Sequence, residues 1–183
     1  MVSRNAKSLT LGVTLLKLPK ITLARPDAAK LEAYLRGQIV PLRRDSDCQI
    51  WSVPWGPHLA AELKRLLANE HLLQGLEQIG KVLEREQKGI KAVQEKTNQA
   101  PAGRLSRLIL FASDGSERFY HDAEAVLRRH VDRAWGCLIG ATAMELGKCG
   151  TAKGSPTKAV MIDDRAALEE FLAVLATTLI IAT

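Results

Sequence analysis

The 183-residue sequence contains 46% hydrophobic but only 4% aromatic residues, so aliphatic side chains must form the core of one domain or two small ones. Lysine and arginine number 26 against 20 for aspartate and glutamate, and this net charge of +6 favours a polyanionic partner such as nucleic acid over a basic protein without one. Three widely spaced cysteines and four scattered histidines argue against a disulfide framework and a metal site; we also expect no cofactor and no membrane-spanning helix.

Residues 1–60 predict an N-terminal extension that is strand-like or irregular and contains one short helix. Residues 1–26 have no acidic side chain, and "LTLGVTLLKLPKITL" alternates as a strand does. We expect structure here, although the composition also fits a mitochondrial transit peptide. A helix is expected between Pro26 and Gly37, and "IWSVPWGP" predicts a turn that is either a docking surface or a hydrophobic plug.

Residues 61–183 predict an α/β domain. Leucines at helical spacing predict a helical segment from His58 through Leu83, and Gly89 is expected to end it and to start a new helix. Three short apolar strands follow, "LILFA", "AWGCLI" and "KAVMI", each succeeded by a helix, of which the first is capped by Ser116. Strands that alternate with helices predict a three-layer α/β/α sandwich.

Lys88, Gly89 and Lys91 lie where the new helix is expected to begin. A helix N-terminus carries unpaired N–H groups and a partial positive charge, so it can bind phosphate, and glycine there lets a bulky ligand approach the backbone. An ordinary solvated helix start is an equally good explanation of this pattern.

A second pattern, "ELGKCGTAKGSPTKAVMI", has a helix that ends in Leu146-Gly147, a loop rich in Gly, Lys and Ser, then Pro156-Thr157 and a strand that begins near Lys158. With "KGIKAVQ" and "LILFASD" before it, this resembles the kink-turn RNA-binding family of ribosomal protein L-seven-Ae over roughly residues 66–179. The resemblance is greatest to the H/ACA ribonucleoprotein core branch, in which a basic residue precedes Gly-Val-Lys-Glu-Val and Pro-Thr precedes the last strand.

The resemblance implies that fold, with RNA bound by the front of the Gly89 helix and by the loop before the short helix. Lysines of the basic loop are available to phosphate as well. The implied RNA-binding residues are Lys88, Gly89, Lys91, Gln94, Lys96, Ile139, Gly140, Ala141, Thr142, Lys148 and Lys153.

Three positions depart from the family pattern. Ala92 replaces the glutamate that reads a guanine, Lys91 replaces the asparagine of strict kink-turn binders, and Thr142-Ala143 replaces a Ser-Lys pair. Because cations are kept while a base-reading acceptor is lost, we expect contact led by phosphates with weak sequence choice.

Together these patterns predict a non-enzymatic RNA-binding subunit of a ribonucleoprotein, whose partners are structured RNA and other protein subunits. An H/ACA small nucleolar particle is the first expectation, with a nucleolar location in a eukaryote; ribonuclease P/MRP and the ribosome are sibling alternatives. A small phosphate-binding protein or enzyme of α/β fold, and a protein-binding module that has lost RNA, remain open. No nucleophile with a base and no carboxylate pair stands out.

Overall fold

The structure, a computed structural model, describes residues 17–98 and 103–181, with side chains to residue 178. Most of the predicted N-terminal strand lies outside these residues. Its described part forms an isolated bridge between Lys17 and Arg104 and then a short helix, not a strand.

The described chain forms seven helices and six strands. The helices are α1 Lys20–Leu23, α2 Ala28–Gly37, α3 Pro57–Ala68, α4 Leu76–Thr97, α5 Glu117–Arg129, α6 Ala143–Gly150 and α7 Arg165–Ile181. The strands are β1 Ile39–Pro41, β2 Gln49–Val53, β3 Leu72–Gln74, β4 Arg107–Phe111, β5 Ala134–Ile139 and β6 Ala159–Ile162.

The six strands form one mixed sheet in the order β1-β2-β5-β4-β6-β3. Strands β2, β5 and β4 are mutually parallel, and β3 shares their direction because both β3 and β4 pair antiparallel with β6. These four strands therefore end at the same edge of the sheet, where β6 begins. We call this edge the carboxyl edge, and the opposite one the amino edge.

Helices cover both faces of the sheet, which confirms the predicted three-layer α/β/α sandwich. On one face, Ile79 and Leu83 of α4 and Leu127 of α5 pack with Ile109 and Phe111 of the sheet. On the other face, helices α2, α3, α6 and α7 bury a larger aliphatic cluster. Aliphatic side chains dominate both clusters, as the scarcity of aromatic residues predicts.

Residues 17–60 contribute strands β1 and β2 to the same sheet and side chains to the same core. Trp51 of β2 is opposite Cys137 of β5, and Ile50 and Val53 are buried. Helix α2 confirms the helix predicted after Pro26. The boundary predicted at residue 60, between an extension and an RNA-binding domain, stays a prediction.

The predicted helical segment from His58 through Leu83 is interrupted. Helix α3 ends at Ala68, the backbone turns at Glu70 with φ 58°, and β3 precedes Gly75, which has φ 84°. Leucines at helical spacing concealed this strand because Leu72 and Leu73 pair with Ile162 and Met161 of β6, far along the chain.

Gly89 does not start a helix. Helix α4 continues through it from Leu76 to Thr97, so the predicted helix front at Lys88 and Lys91 is wrong. A glycine in a helix costs only about 1 kcal/mol relative to alanine, and the surrounding Lys, Gln and Glu residues are good helix formers.

Candidate nucleic-acid interface

The true front of α4 lies at Gly75, at the carboxyl edge. The Gly75 N–H donates to the carbonyl oxygen of Ala159 at 3.0 Å, and no side chain caps the helix. The N–H groups of the first turn, at residues 76–78, have no partner within the helix, as in every α-helix. Gly75 has φ 84°, a conformation that side chains rarely adopt, so glycine is required here. This helix start is therefore open to an anionic ligand.

The predicted loop of residues 139–142 follows β5 at the same edge. Gly140 is exposed and donates its N–H to the Val53 carbonyl at 3.0 Å, while Ile139 and Ala141 are buried. A Cβ on Gly140 would lie 3.2 Å from the backbone nitrogen of Trp55, so this loop sits tightly against the end of β2. Only Gly140 and Thr142 of this loop are exposed to solvent.

Residues 157–159 connect the loop to the front of α4. The Thr157 N–H donates to the Ala143 carbonyl at 2.9 Å, and the Ala159 carbonyl accepts from Gly75. Between them, the Lys158 side chain is exposed, and its Nζ lies 5.8 Å from the centre of the Phe119 ring. The fold thus places one cation between two backbone elements that are far apart in the sequence.

The acidic side chains of this edge are engaged locally. Asp114 Oδ1 accepts the Ala143 N–H at 2.8 Å, and Glu77 binds Lys81 at 2.6 Å. Glu145 forms a capping box with Thr142, whose backbone N–H is the main cause of the lowered pKa of Glu145. In contrast, Lys158 forms no ion pair within the described chain, so it is available to an external anion.

The basic loop beside α6 is held close to that helix. A Cβ on Gly147 would lie 2.0 Å from the Ser155 carbonyl oxygen, and Thr151 Oγ1 bonds to the Gly147 carbonyl at 2.9 Å. Lys148 and Lys153 are exposed on this helix-loop unit.

The other predicted site residues lie at the amino edge. Glu86 of α4 binds Arg107, the first residue of β4, at 2.9 Å and Arg133, just before β5, at 2.6 Å. Helix α4, about 33 Å long at 1.5 Å per residue, has then crossed the sheet. The predicted site residues that follow Glu86 on α4 are therefore far from residues 139–142. They are Lys88, Gly89, Lys91, Gln94 and Lys96.

Helix α4 follows Gly75 and not Gly89, so its first turn is Leu76-Glu77-Gln78. The signal was present in "HLLQG", a short apolar run closed by glycine, but the surrounding leucine spacing favoured a helix.

Other features of the described residues bear on chemistry. No described helix has the length and apolar character needed to span a membrane, and no group of three or more His, Cys, Asp and Glu side chains in residues 17–98 and 103–178 could hold a metal ion. The three cysteines are free thiols, and burial raises the pKa of Cys48 to about 11, so it stays protonated near neutral pH.

No protein family model matches the sequence, and no curated protein is significantly similar to it. Among solved structures, the chain is similar to a protein of unknown function from Bacillus halodurans, with 15% identity, a TM-score of 0.45, and coverage of 66% of this chain and 98% of that one. It is also similar to the 15.5kD RNA-binding protein of Giardia lamblia, with 15% identity, a TM-score of 0.43, and coverage of 66% and 83%. Similarities of this size do not identify a function.

Proposed function

We propose that the chain is a non-enzymatic RNA-binding subunit of a ribonucleoprotein and that the carboxyl edge is its RNA interface. The observation that carries this proposal is the convergence of the uncapped start of α4, the exposed Gly140 loop and Lys158 at one edge of the sheet. Backbone donors and a lysine bind phosphate, while glycines allow the RNA to approach the backbone closely.

The side chains around this edge support binding rather than catalysis. Ser113 Oγ donates to the Ala141 carbonyl at 3.0 Å, Asp114 accepts from Ala143, and Ser116 Oγ accepts the Phe119 N–H at 3.3 Å. These groups stabilise the strand-to-helix turn, which accounts for the Ser-Asp-Gly-Ser sequence without a reaction. A phosphorylated metabolite would use the same backbone donors, and the experiment below separates it from RNA.

The sequence pattern supports a finer assignment within this proposal. Counted from Gly75, the segment Gly75-Leu76-Glu77-Gln78-Ile79 resembles Gly-Val-Lys-Glu-Val, with Gln78 at the position of the base-reading glutamate. Pro156-Thr157 before β6 also resembles the H/ACA branch of the kink-turn family, whereas Leu146-Gly147 lies inside α6, which ends at Gly150 and not at the predicted Gly147. We therefore propose a structured, kinked RNA as the ligand, an H/ACA-like particle with other protein subunits as the assembly, and the nucleolus as the location in a eukaryotic cell. Ribonuclease P/MRP and the ribosome are the alternatives that RNA co-purified with the protein would reveal.

The test is the affinity of the full chain for a kink-turn stem-loop, measured by fluorescence anisotropy over a series of salt concentrations. Lys158→Gln should weaken binding several-fold, and the slope of log affinity against log salt should fall by about 1, since one phosphate contact is lost. Lys30→Gln is the matched control because Lys30 is also an exposed lysine and lies on α2, which is not among the elements that form this site.

Equal effects of the Lys158 and Lys30 substitutions would contradict the assignment of the carboxyl edge. No binding of any structured RNA at low salt would contradict RNA as the ligand. Displacement of the RNA by millimolar inorganic phosphate, but not by competitor RNA, would instead support the metabolite alternative.

A further inference from the structure

The outer part of α4, residues 85–97, extends along and past the amino edge. Glu86 is the last α4 side chain with an ion-pair partner in the body of the protein, through Arg107 and Arg133. Beyond it, only Gln87, Ile90 and Gln94 are partly buried, and Val93 is 59% exposed. This segment is about 20 Å long at 1.5 Å per residue, and we call it the α4 arm.

The arm presents a row of cations on the face opposite the core. The row consists of Arg85, Lys88 and Lys96, with Ala92 between the two lysines. Successive members are three, four and four residues apart, so they lie on one side of the helix. The buried Ile79 and Leu83 belong to the other side. Lys91 lies beside the row. Its exposed acidic neighbours are Glu95 and, just before the arm, Glu84, which pairs with Arg129.

These cations have no internal use in the described structure. The ion pairs of α4 are Glu77–Lys81, Glu84–Arg129 and those of Glu86, and none of them includes Arg85, Lys88, Lys91 or Lys96. Residues 1–16, 99–102 and 182–183, which lie outside the described structure, contain no aspartate or glutamate. Elsewhere exposed arginines do form pairs, for example Arg36 with Glu32 and Arg165 with Glu169.

The row also has small residues at its centre. Gly89 and Ala92 lie between the cations, and nothing is within 4 Å of a Cβ built on Gly89. No packing contact explains this glycine, although it weakens the helix. A flat, cationic helix surface of this kind lets a phosphate backbone lie close to the helix while lysines contact successive phosphates, without reading bases.

We propose that the α4 arm is a second, sequence-independent RNA contact, so that one chain holds two RNA segments at opposite edges of its sheet. The nature of the polymer rests on the proposed function, but the surface is separate: α4 is about 33 Å long and connects the two contacts. The carboxyl edge then selects the RNA, and the arm binds a neighbouring duplex through its backbone.

The test compares two triple variants that each remove three positive charges from the full chain. In the arm variant Arg85, Lys88 and Lys96 become Gln, which is a good helix former. In the control Lys20, Lys30 and Lys64 become Gln; these lysines are exposed on α1, α2 and α3. Each protein is titrated with the kink-turn stem-loop alone and with the same stem-loop extended by a 20-base-pair duplex.

We expect wild type and control to bind the extended RNA at least tenfold more tightly than the short one, and the arm variant to lose that gain while it still binds the short stem-loop. The salt slope for the extended RNA should fall by about 2 to 3 in the arm variant. Equal behaviour of the arm variant and the control would overturn the inference, while the RNA interface at the carboxyl edge would stand. A competition with polyglutamate and heparin gives a second check. Displacement of the extended RNA by polyglutamate at the same concentration as by heparin would also overturn the inference, since the arm would then suit an acidic protein. If no protein binds the short stem-loop, the proposed function itself fails.

Discussion

Gly147 lies directly against the backbone of Ser155: a Cβ on Gly147 would be 2.0 Å from the Ser155 carbonyl oxygen. The contact closes the basic loop onto the end of α6. Neither backbone segment can move away easily, because the Thr151 hydroxyl bonds to the carbonyl oxygens of both Gly147 and Ser155.

Gly147→Ala should therefore destabilise the protein by roughly 1–3 kcal/mol, the usual cost of overpacking a well-packed site. The measurement is the free energy of unfolding from urea titration followed by circular dichroism. A variant as stable as wild type would show that the α6 loop shifts freely, and the rigid placement of Lys153 would then be in doubt.

Gly89→Ala should have the opposite effect, a gain of about 0.5–1 kcal/mol in the free energy of unfolding. Gly89 lies inside α4 with ordinary helical backbone and open space around it, so alanine adds helix propensity without a clash. The same urea titration reports it, with Gly147→Ala as the matched glycine-to-alanine comparison. A loss of stability would contradict the continuous helix.

These two glycines show how far the sequence could predict the structure. Helix α5 was predicted correctly because its signals are local: the Ser116 cap and an amphipathic pattern. Strand β3 was not, because only pairing with β6 distinguishes Leu72 and Leu73 from helical leucines. The helix start at Gly75 depends on that pairing, so the sequence alone favoured a start at Gly89. The residues predicted around Gly89 therefore lie at the opposite edge of the sheet from residues 139–142.

The order of strand, short loop and helix around residues 139–142 was predicted because these elements follow one another locally. Strand β2 was not predicted because, like β3, it is defined by pairing with a strand that is distant in the sequence. Its parallel pairing joins Trp51 to Cys137 over a long sequence separation, and no local pattern records such a contact.

The ion pairs of Glu124 make the free energy of unfolding depend on pH in the acidic range. Its side chain is 8% exposed and accepts from Arg43 Nε at 2.8 Å and Arg128 Nε at 2.9 Å. Burial opposes ionisation of Glu124, but the hydrogen bonds from Arg128, Arg43 and Ser46 outweigh it and lower its pKa to about 2. Because the folded-state pKa is depressed, the stabilisation is present above the ordinary value of 4.5 and is lost as pH falls toward 2.

Glu124→Gln should cost roughly 1.5–3 kcal/mol at pH 7, the range for hydrogen bonds to charged groups. The difference from wild type should shrink between pH 5 and about 2. Urea titrations at pH 7, 5 and 3 give the comparison. Glu117→Gln is the control, since the Glu117 side chain is 74% exposed and its contact with Arg43 is longer, at 3.5 Å. A difference that stays constant from pH 7 to 3 would mean that Glu124 is not the titrating group.

The last prediction concerns Gln78, which stands in the first turn of α4 at the carboxyl edge. Its amide is exposed and can both donate and accept, so it can bond to a base edge where alanine cannot. If Gln78 takes the position of the base-reading residue, Gln78→Ala should lower the preference for a kink-turn RNA over a straight duplex. The expected loss is about 1–3 kcal/mol of discrimination, a scale taken from bidentate contacts to DNA bases.

Gln94→Ala is the matched control for this prediction, because the same substitution falls on the same helix but at the amino edge. The measurement is a titration of both RNAs at two salt concentrations for wild type and the two variants. The ratio of affinities, not either affinity alone, is decisive, since a change in phosphate contacts weakens both RNAs together. A ratio that falls equally in both variants would reflect a general effect on the helix. A ratio that falls only with Gln94→Ala would place base recognition on the arm and would reverse the roles assigned to the two edges.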